Sequence, residues 1–321
     1  MIMKITKGEV RACSQLLDSY RSQNRLAESP VKLKFAGIGD CDVYNITAPF
    51  EDEGELVIAG RVEPRDSEHS HVLFFMEQGG VWSPSPDLPR LELQDPFYTR
   101  IGNEIVVGGV QIFPHPVHEG GLAWRTVMYK GDRLRELKPF FTGPDGMKDL
   151  RIAELRGGDI AVLTRPQGEK GGRGKIGFTR VSSLEMLMVE RVEEAPLLEG
   201  QFIDEEWGGA NELHPLAGGL LGVLGHISCF DAAGDVHYYP MAFVIDPYTG
   251  RFTDIELIAV RSRFLPGEAK LERLVDVVFS GGLVRREDGT AELYAGISDV
   301  EAQCLTIKDP FLHYEMIEAE W

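Results

Sequence analysis

Short apolar runs, four to six residues long and rich in β-branched or aromatic side chains, recur along most of the chain and are bounded by Gly, Asp or Pro. Those beginning at Glu55, His71, Glu104 and Asp159 are examples. This pattern predicts an all-β protein. Only the stretch from Ser14 to Leu26 has the apolar spacing of an amphipathic helix ahead of the C-terminus.

The runs repeat as a unit. A polar residue precedes a first strand, a short turn with Gly or Asn leads into a very apolar second strand, and a third strand carries aromatics. Units open near Asp42–Asn45, Asp95, Lys148–Asp149, Asn211 and Val277. Five units of about 50–65 residues match the blades of a five-bladed β-propeller, which run to about 40–50 residues without insertions. The predicted organisation is one domain over residues 1–321. Residues 1–30 form an N-terminal extension with the helix, and blades cover approximately 31–90, 91–140, 145–195, 205–255 and 270–310.

Inner strands of a propeller line one axis, so equivalent positions in successive units converge. Asn45, Asp95, Asp149 and Asn211 are therefore expected to be neighbours. The ends of the second strands contribute Arg61, Arg165 and His226, with Asp299 just beyond the last apolar run.

Charge narrows the partners. The chain has 33 Lys and Arg against 51 Asp and Glu, a formal charge of -18, and no basic stripe, which argues against nucleic acid. A phosphate-binding cavity in so acidic a chain needs its own cluster of cations. Cys13, Cys41, Cys229 and Cys304 include no CxxC pair, so neither a metal site nor a disulfide framework is indicated. With no signal-peptide h-region and no run long enough to cross a bilayer, the expected compartment is the cytoplasm, away from membranes.

Among candidate chemical groups, Asp95 precedes Pro96, which biases it toward extended backbone at a strand entrance. Taken alone, such an Asp more often begins a strand or caps a turn than it catalyses. Among Arg and Lys it is expected to be ionised; close to Asp149 or Asp299 it could keep a proton for general-acid work. Arg61, Lys148, Arg165 and His226 come from separate units, and together they suit an anionic substrate. Tyr44, Trp124, Trp207 and Tyr294 are either blade core or sugar-stacking faces. Trp207, beside Gly208 and Gly209, is the strongest stacking candidate because glycines let backbone approach a ligand. The Gly168–Lys175 segment lacks P-loop order and reads as a hairpin loop. Asp231–Asp235 reads as a β-turn rather than a calcium loop.

The order of these motifs resembles glycoside hydrolase family 130 and its relatives in glycosyltransferase family 108. Asn45 matches the Asn that opens the family's first blade, and Arg61 the Arg that ends its second strand. Gln94-Asp95-Pro96-Phe97 stands where the family carries Glu-Asp-Pro-Arg, and the differences flanking Asp95 point to the transferase-like branch. Lys148-Asp149 resembles a Lys-Asp step, and Thr164-Arg165-Pro166 a His-Arg-Pro step. Trp207 to Asn211 followed by Gly225-His226, and Leu293 to Asp299, are similar to two further segments.

This resemblance implies inverting phosphorolysis or synthesis of β-mannosides, with β-1,2 linkage. Asp95 would be the general acid, acting through a sugar hydroxyl, or the base in synthesis. Arg61, Lys148, Arg165 and His226 would hold phosphate, and Asn45, Asp149, Trp207, Asn211 and Asp299 would hold the sugar. No metal or organic cofactor is implied. Inorganic phosphate is the co-substrate, mannose 1-phosphate or a sugar nucleotide the donor, and assembly into a homo-oligomer stays open. Two alternatives remain: an inverting glycosidase with Asp149, Glu212 or Asp299 as base, and a carbohydrate-binding propeller without catalysis.

Overall fold

The computed structural model describes residues 5–23 and 29–319. The chain is a five-bladed β-propeller. The first blade runs outward through Cys41–Tyr44, Glu55–Pro64, His71–Gln78 and Val81–Pro84, with Phe50–Asp52 also pairing on Glu55–Pro64. The second has Gln94–Ile101, Glu104–Pro114, Leu122–Gly131 and Lys138–Thr142. The third has three strands, Arg151–Glu154, Ile160–Thr164 and Gly177–Val181. The fourth has Trp207–Pro215, Leu221–Phe230, Val236–Ile245 and Glu256–Leu257.

The fifth blade takes Val278–Arg285, Thr290–Ile297 and Glu301–Lys308 from the C-terminal part and its outer strand, Val31–Lys32, from the N-terminal part. Val31 and Lys32, which the sequence pattern assigns to the opening of the first blade, pair instead with Cys304 and Gln303. The reason is closure: an outer strand from the start of the chain ties both ends of the ring together and covers an edge that would otherwise be unpaired.

Second strands are the most apolar because they are covered on both faces. Ile105, Val106 and Val107 are fully buried, as are Ile58, Ala59, Ala161, Val162 and Leu163. First strands are interrupted where the polar residues lie. Register shifts fall between Gln94 and Phe97, Ala210 and Glu212, and Ser280 and Gly282, and the first blade's inner strand breaks between Tyr44 and Phe50. A bulge of this kind re-aims one side chain without ending the strand, here at the channel.

The N-terminal helix is Cys13–Ser22. It buries Cys13, Leu16 and Tyr20 against the third and fourth blades, and the end of the predicted helix, residues 24–26, lies outside the described residues. The Gly168–Lys175 segment joins two antiparallel strands as predicted, with a short helical turn at Gly168–Gly171. At Asp231–Asp235 the Asp231 carboxylate accepts the amides of Ala233 and Asp235, which makes a tight turn. Among the described residues, no helix is long and apolar enough to cross a membrane.

Candidate active site

Three of the axis residues share an unusual backbone. Asn45, Asp95 and Asp149 have φ of 45°, 46° and 57°, and Ser298 and Asp299 follow at 53° and 55°. Asn and Asp tolerate this left-handed region at lower cost than other side chains, and such strain clusters where function constrains the chain. The extended geometry that Pro96 predicts for Asp95 is therefore not found. The bulge at Gln94–Phe97 and the bonds to its carboxylate override the proline's preference.

Asp95 is buried, and its Oδ1 accepts from Asn45 Nδ2 at 2.7 Å and from Arg61 Nη1 at 3.0 Å. Burial by itself would raise its pKa. The Arg61 and Lys148 charges and the Asn45 amide outweigh that and hold the carboxyl below the usual carboxylate range, so Asp95 is ionised. The Asp149 charge opposes them.

Arg61 is itself anchored from behind. Its Nε and Nη2 donate to Glu63 Oε2 at 3.2 and 2.6 Å, and its guanidinium lies 4.8 Å from the Tyr44 ring centroid. Glu63 also accepts from Tyr44 OH at 2.6 Å and Lys270 Nζ at 2.5 Å. Glu63 and Lys270 escaped the sequence reading. The available signal was the Arg61-x-Glu63 spacing, which puts both side chains on one face of a strand.

Asp149 organises the other half. Arg165 Nε lies 3.4 Å from its Oδ2, and Arg151 Nη2 3.9 Å from its Oδ1. Burial would raise its pKa, but Arg165, His226, Lys148 and Arg151 keep it low. Arg151, also unforeseen, is completely buried; it donates to the Asn211 carbonyl at 2.7 Å and packs over Phe97. Arg165 donates Nε to the Gly208 carbonyl at 2.8 Å and Nη2 to the Arg173 carbonyl at 3.3 Å, while its buried Nη1 has no partner.

His226 is neutral, because burial pushes its pKa down to about 3 against the pull of Asp149. Its Nδ1 meets Asn211 Oδ1 at 2.9 Å, and Ser280 Oγ donates to the same oxygen at 3.2 Å. Asn211 Nδ2 is left buried without a partner. Lys148 is half-buried, forms no hydrogen bond or ion pair among the described residues, and its charge acts on Asp95, Asp149 and His226. The four basic groups thus differ in state. Arg61 is committed to carboxylates, His226 is uncharged, and Lys148 and Arg165 keep unused donors.

Asp299 is the exception among the acids. Burial raises its pKa to about 6, with Asp95 and Glu63 adding to the rise and Arg61 and Lys270 opposing it. It is the carboxyl in this group that can hold a proton near neutrality. Close packing explains the glycines here. A Cβ on Gly209 would sit 2.8 Å from Arg165 Cδ, 3.1 Å from Asp149 Oδ2 and 3.1 Å from His226 Cε1.

The aromatic candidates divide. Trp207 is buried, its ring packed on Phe230 and Tyr238 and covered by the Arg173 guanidinium, so it builds blade core and offers no open face to a sugar. Tyr44 lies under Arg61, and Tyr294 is buried. Trp124 is half-buried and borders a cavity. Glu212 is tied to packing, accepting the Leu283 amide at 2.7 Å. Among the described residues no group of His, Cys, Asp and Glu could hold a metal ion.

Over residues 19–313 the chain matches the family described as "Protein of unknown function (DUF1861)". Comparison with curated proteins finds no match. Among solved structures it resembles MPT-4, a mannose phosphorylase from Leishmania mexicana in complex with phosphate ion. Identity is 33%, with 96% of each chain covered and a TM-score of 0.87. MPT-1, a GDP-Man-dependent mannosyltransferase from Leishmania mexicana, is 29% identical over 96% of this chain and 98% of that one, with a TM-score of 0.85. The β-1,2-mannobiose phosphorylase of Listeria innocua shares the fold at 15% identity, over 88% of this chain and 94% of that one, with a TM-score of 0.60. The chain belongs to the DUF1861 family, within the superfamily that joins glycoside hydrolase family 130 to glycosyltransferase family 108.

Proposed function

We propose that the protein is a mannoside phosphorylase that works reversibly between a β-mannoside plus phosphate and α-mannose 1-phosphate, with β-1,2-linked mannose as its substrate class. The observation that carries this reading is the trio of unused donors. Arg165 Nη1 and Asn211 Nδ2 are buried without partners, and Lys148, unpaired among the described residues, acts together with Arg165 on Asp149. Buried donors left unsatisfied are costly, and a tetrahedral anion with several acceptor oxygens would satisfy all three. The mannose phosphorylase that is 33% identical to this chain was solved with phosphate, which supports the same ligand.

The protonation states suit the synthetic direction. An acceptor hydroxyl attacks the anomeric carbon of mannose 1-phosphate as the bond from that carbon to the phosphate oxygen breaks. The hydroxyl proton passes, through a sugar hydroxyl, to the ionised Asp95 carboxylate. Phosphate departs onto Lys148 and Arg165, and the anomeric configuration inverts. In phosphorolysis a phosphate oxygen attacks, the glycosidic bond breaks, and the same proton returns from Asp95 to the leaving oxygen. Asn45 and Arg61 orient Asp95. Asn211 joins Lys148 and Arg165 on the phosphate, while Asp149, His226 and Asp299 supply acceptors and donors for sugar hydroxyls.

The test is incubation with β-1,2-mannobiose in the presence and absence of phosphate. Mannose 1-phosphate formed only with phosphate is expected, whereas free mannose released equally without phosphate would reject the reading in favour of a hydrolase. A transferase reading is favoured by the 29% identity to a GDP-Man-dependent enzyme. Supplying mannose with either mannose 1-phosphate or GDP-mannose separates the two: the phosphorylase uses the first donor only.

A further inference from the structure

A cavity of about 600 Å³ opens between the second and third blades on the face that carries the site, within the range of about 300–1,000 Å³ usual for small-molecule sites. It is continuous in sequence with the phosphate-binding candidates. Met147, which precedes Lys148, and Pro166, which follows Arg165, both line it. Two hydrogen bonds tie the Lys148 loop to the strand of Trp124: Thr126 N to the Met147 carbonyl at 3.0 Å, and Gly146 N to the Trp124 carbonyl at 2.7 Å.

Its wall combines an aromatic ring with polar groups that have unused capacity. The Trp124 indole is held by Nε1 donating to the Gly146 carbonyl at 3.0 Å, and Leu122 beside it is exposed. Gln167 donates Nε2 to the Arg173 carbonyl at 2.8 Å, while its Oε1 is buried without a partner. His115 Nδ1 accepts the amides of Val117 and His118 at 3.1 and 3.0 Å, which puts the proton of the neutral ring on Nε2 as a donor. A fixed ring flanked by a free acceptor and a free donor suits a pyranose, which presents an apolar face and hydroxyls that both donate and accept.

We propose that this cavity is a distal carbohydrate subsite that takes mannose units of the acceptor chain beyond the one that reacts. Trp124 is the stacking platform and Gln167 Oε1 the hydroxyl acceptor. The proposal rests on the mannoside reading for the identity of the sugar, while its location rests on the cavity alone. An acceptor chain lying outward from the axis between these blades would pass the Lys148 loop, so chain length would be sensed next to the reacting centre.

The experiment measures kcat/KM for β-1,2-mannose oligomers of increasing length with wild type, Trp124→Ala, Trp124→Phe and Gln167→Leu, together with calorimetric binding of the tetramer to each. Wild type should prefer the longer chains. Trp124→Ala should reduce that preference about tenfold and weaken tetramer binding by a similar factor, with Trp124→Phe restoring part of both. Gln167→Leu should weaken both without removing the platform, and it decides the matter alone if Trp124→Ala fails to fold. Unchanged length preference and unchanged tetramer affinity in the folded variants overturn the subsite. Should wild type turn over no mannoside, the calorimetry still judges the cavity, and only the phosphorylase reading is lost.

Discussion

Asn45 and Asp95 lie 50 residues apart, sit at the breaks in the inner strands of adjacent blades with nearly the same left-handed φ, and are joined by a 2.7 Å bond from the Asn45 amide to the Asp95 carboxylate. Each blade thus uses the strained residue at its strand break for a different half of one interaction. The pairing also makes the ionised state of Asp95 dependent on a neighbour that can be removed separately.

Asp95→Asn should fold, since Asn accepts the same backbone, and should lose about 10²–10⁴ in kcat as an essential acid–base group would. A melting temperature close to wild type with full activity would sink the catalytic role. Asn45→Gly keeps the backbone permissive and deletes only the amide. Without that bond the Asp95 pKa rises, so the acid limb of the pH–rate profile for synthesis should move to higher pH.

Lys148 is the cation least committed to the protein. Lys148→Met should raise the KM for phosphate about 10–100-fold, the loss of one charge-assisted contact, with a smaller effect on the KM for mannobiose. Lys148→Arg should recover part of the loss. An unchanged phosphate KM would remove Lys148 from the anion site.

Much of this arrangement is legible in the sequence itself. The polar residue before each first strand points to Asn45, Asp95, Asp149 and Asn211, and the ends of the second strands put Arg61, Arg165 and His226 beside them. What escaped depends on burial and closure. Val31–Lys32 is a two-residue exposed strand with no pattern of its own, and it acquires meaning only when the ring closes on Glu301–Lys308. Arg151 reads as an ordinary strand residue until the fold buries it against Asp149. The charge of His226 is lost through desolvation that no local sequence encodes. Trp207 looked accessible because of its glycines, yet they serve close packing: a Cβ on Gly208 would meet the His226 carbonyl at 2.3 Å.

His226 also sets a pH dependence of stability. Its native pKa of about 3 lies below the ordinary value near 6.5, so an unfolded chain takes up a proton that the native state refuses. Its contribution is complete above about pH 6.5 and is lost as pH falls toward 3. Asp299 acts the other way, since its native pKa near 6 favours the folded state as pH falls from about 6 to about 4. Urea unfolding at about pH 7.5 and about pH 4.5 should show His226→Gln losing about 2–3 kcal/mol less than wild type over this interval. Asp299→Asn should lose more than wild type. Equal losses in all three proteins would contradict the assigned ionisation states.

The tight meeting of Arg165, Asp149 and His226 around Gly209 gives a last test that removes no functional group. Its φ is not in the left-handed region, so Gly209→Ala adds no backbone strain, only a methyl group 2.8 Å from Arg165 Cδ and 3.1 Å from the Asp149 carboxylate. Arg165 is held by the Gly208 carbonyl on the same strand and cannot retreat without breaking that 2.8 Å bond. The guanidinium should therefore shift, at a cost of about 1–3 kcal/mol in stability from overpacking. A displacement of about 1 Å at a positioning group costs about 100-fold in rate, so kcat/KM for phosphate should fall far more than the melting temperature suggests. Gly174→Ala approaches the same guanidinium from the opposite loop, its Cβ 2.5 Å from Arg165 Cζ at a φ of +141°, and should lose both stability and rate. A Gly209→Ala enzyme with wild-type phosphate kinetics would show that Arg165 is not held in place for the anion.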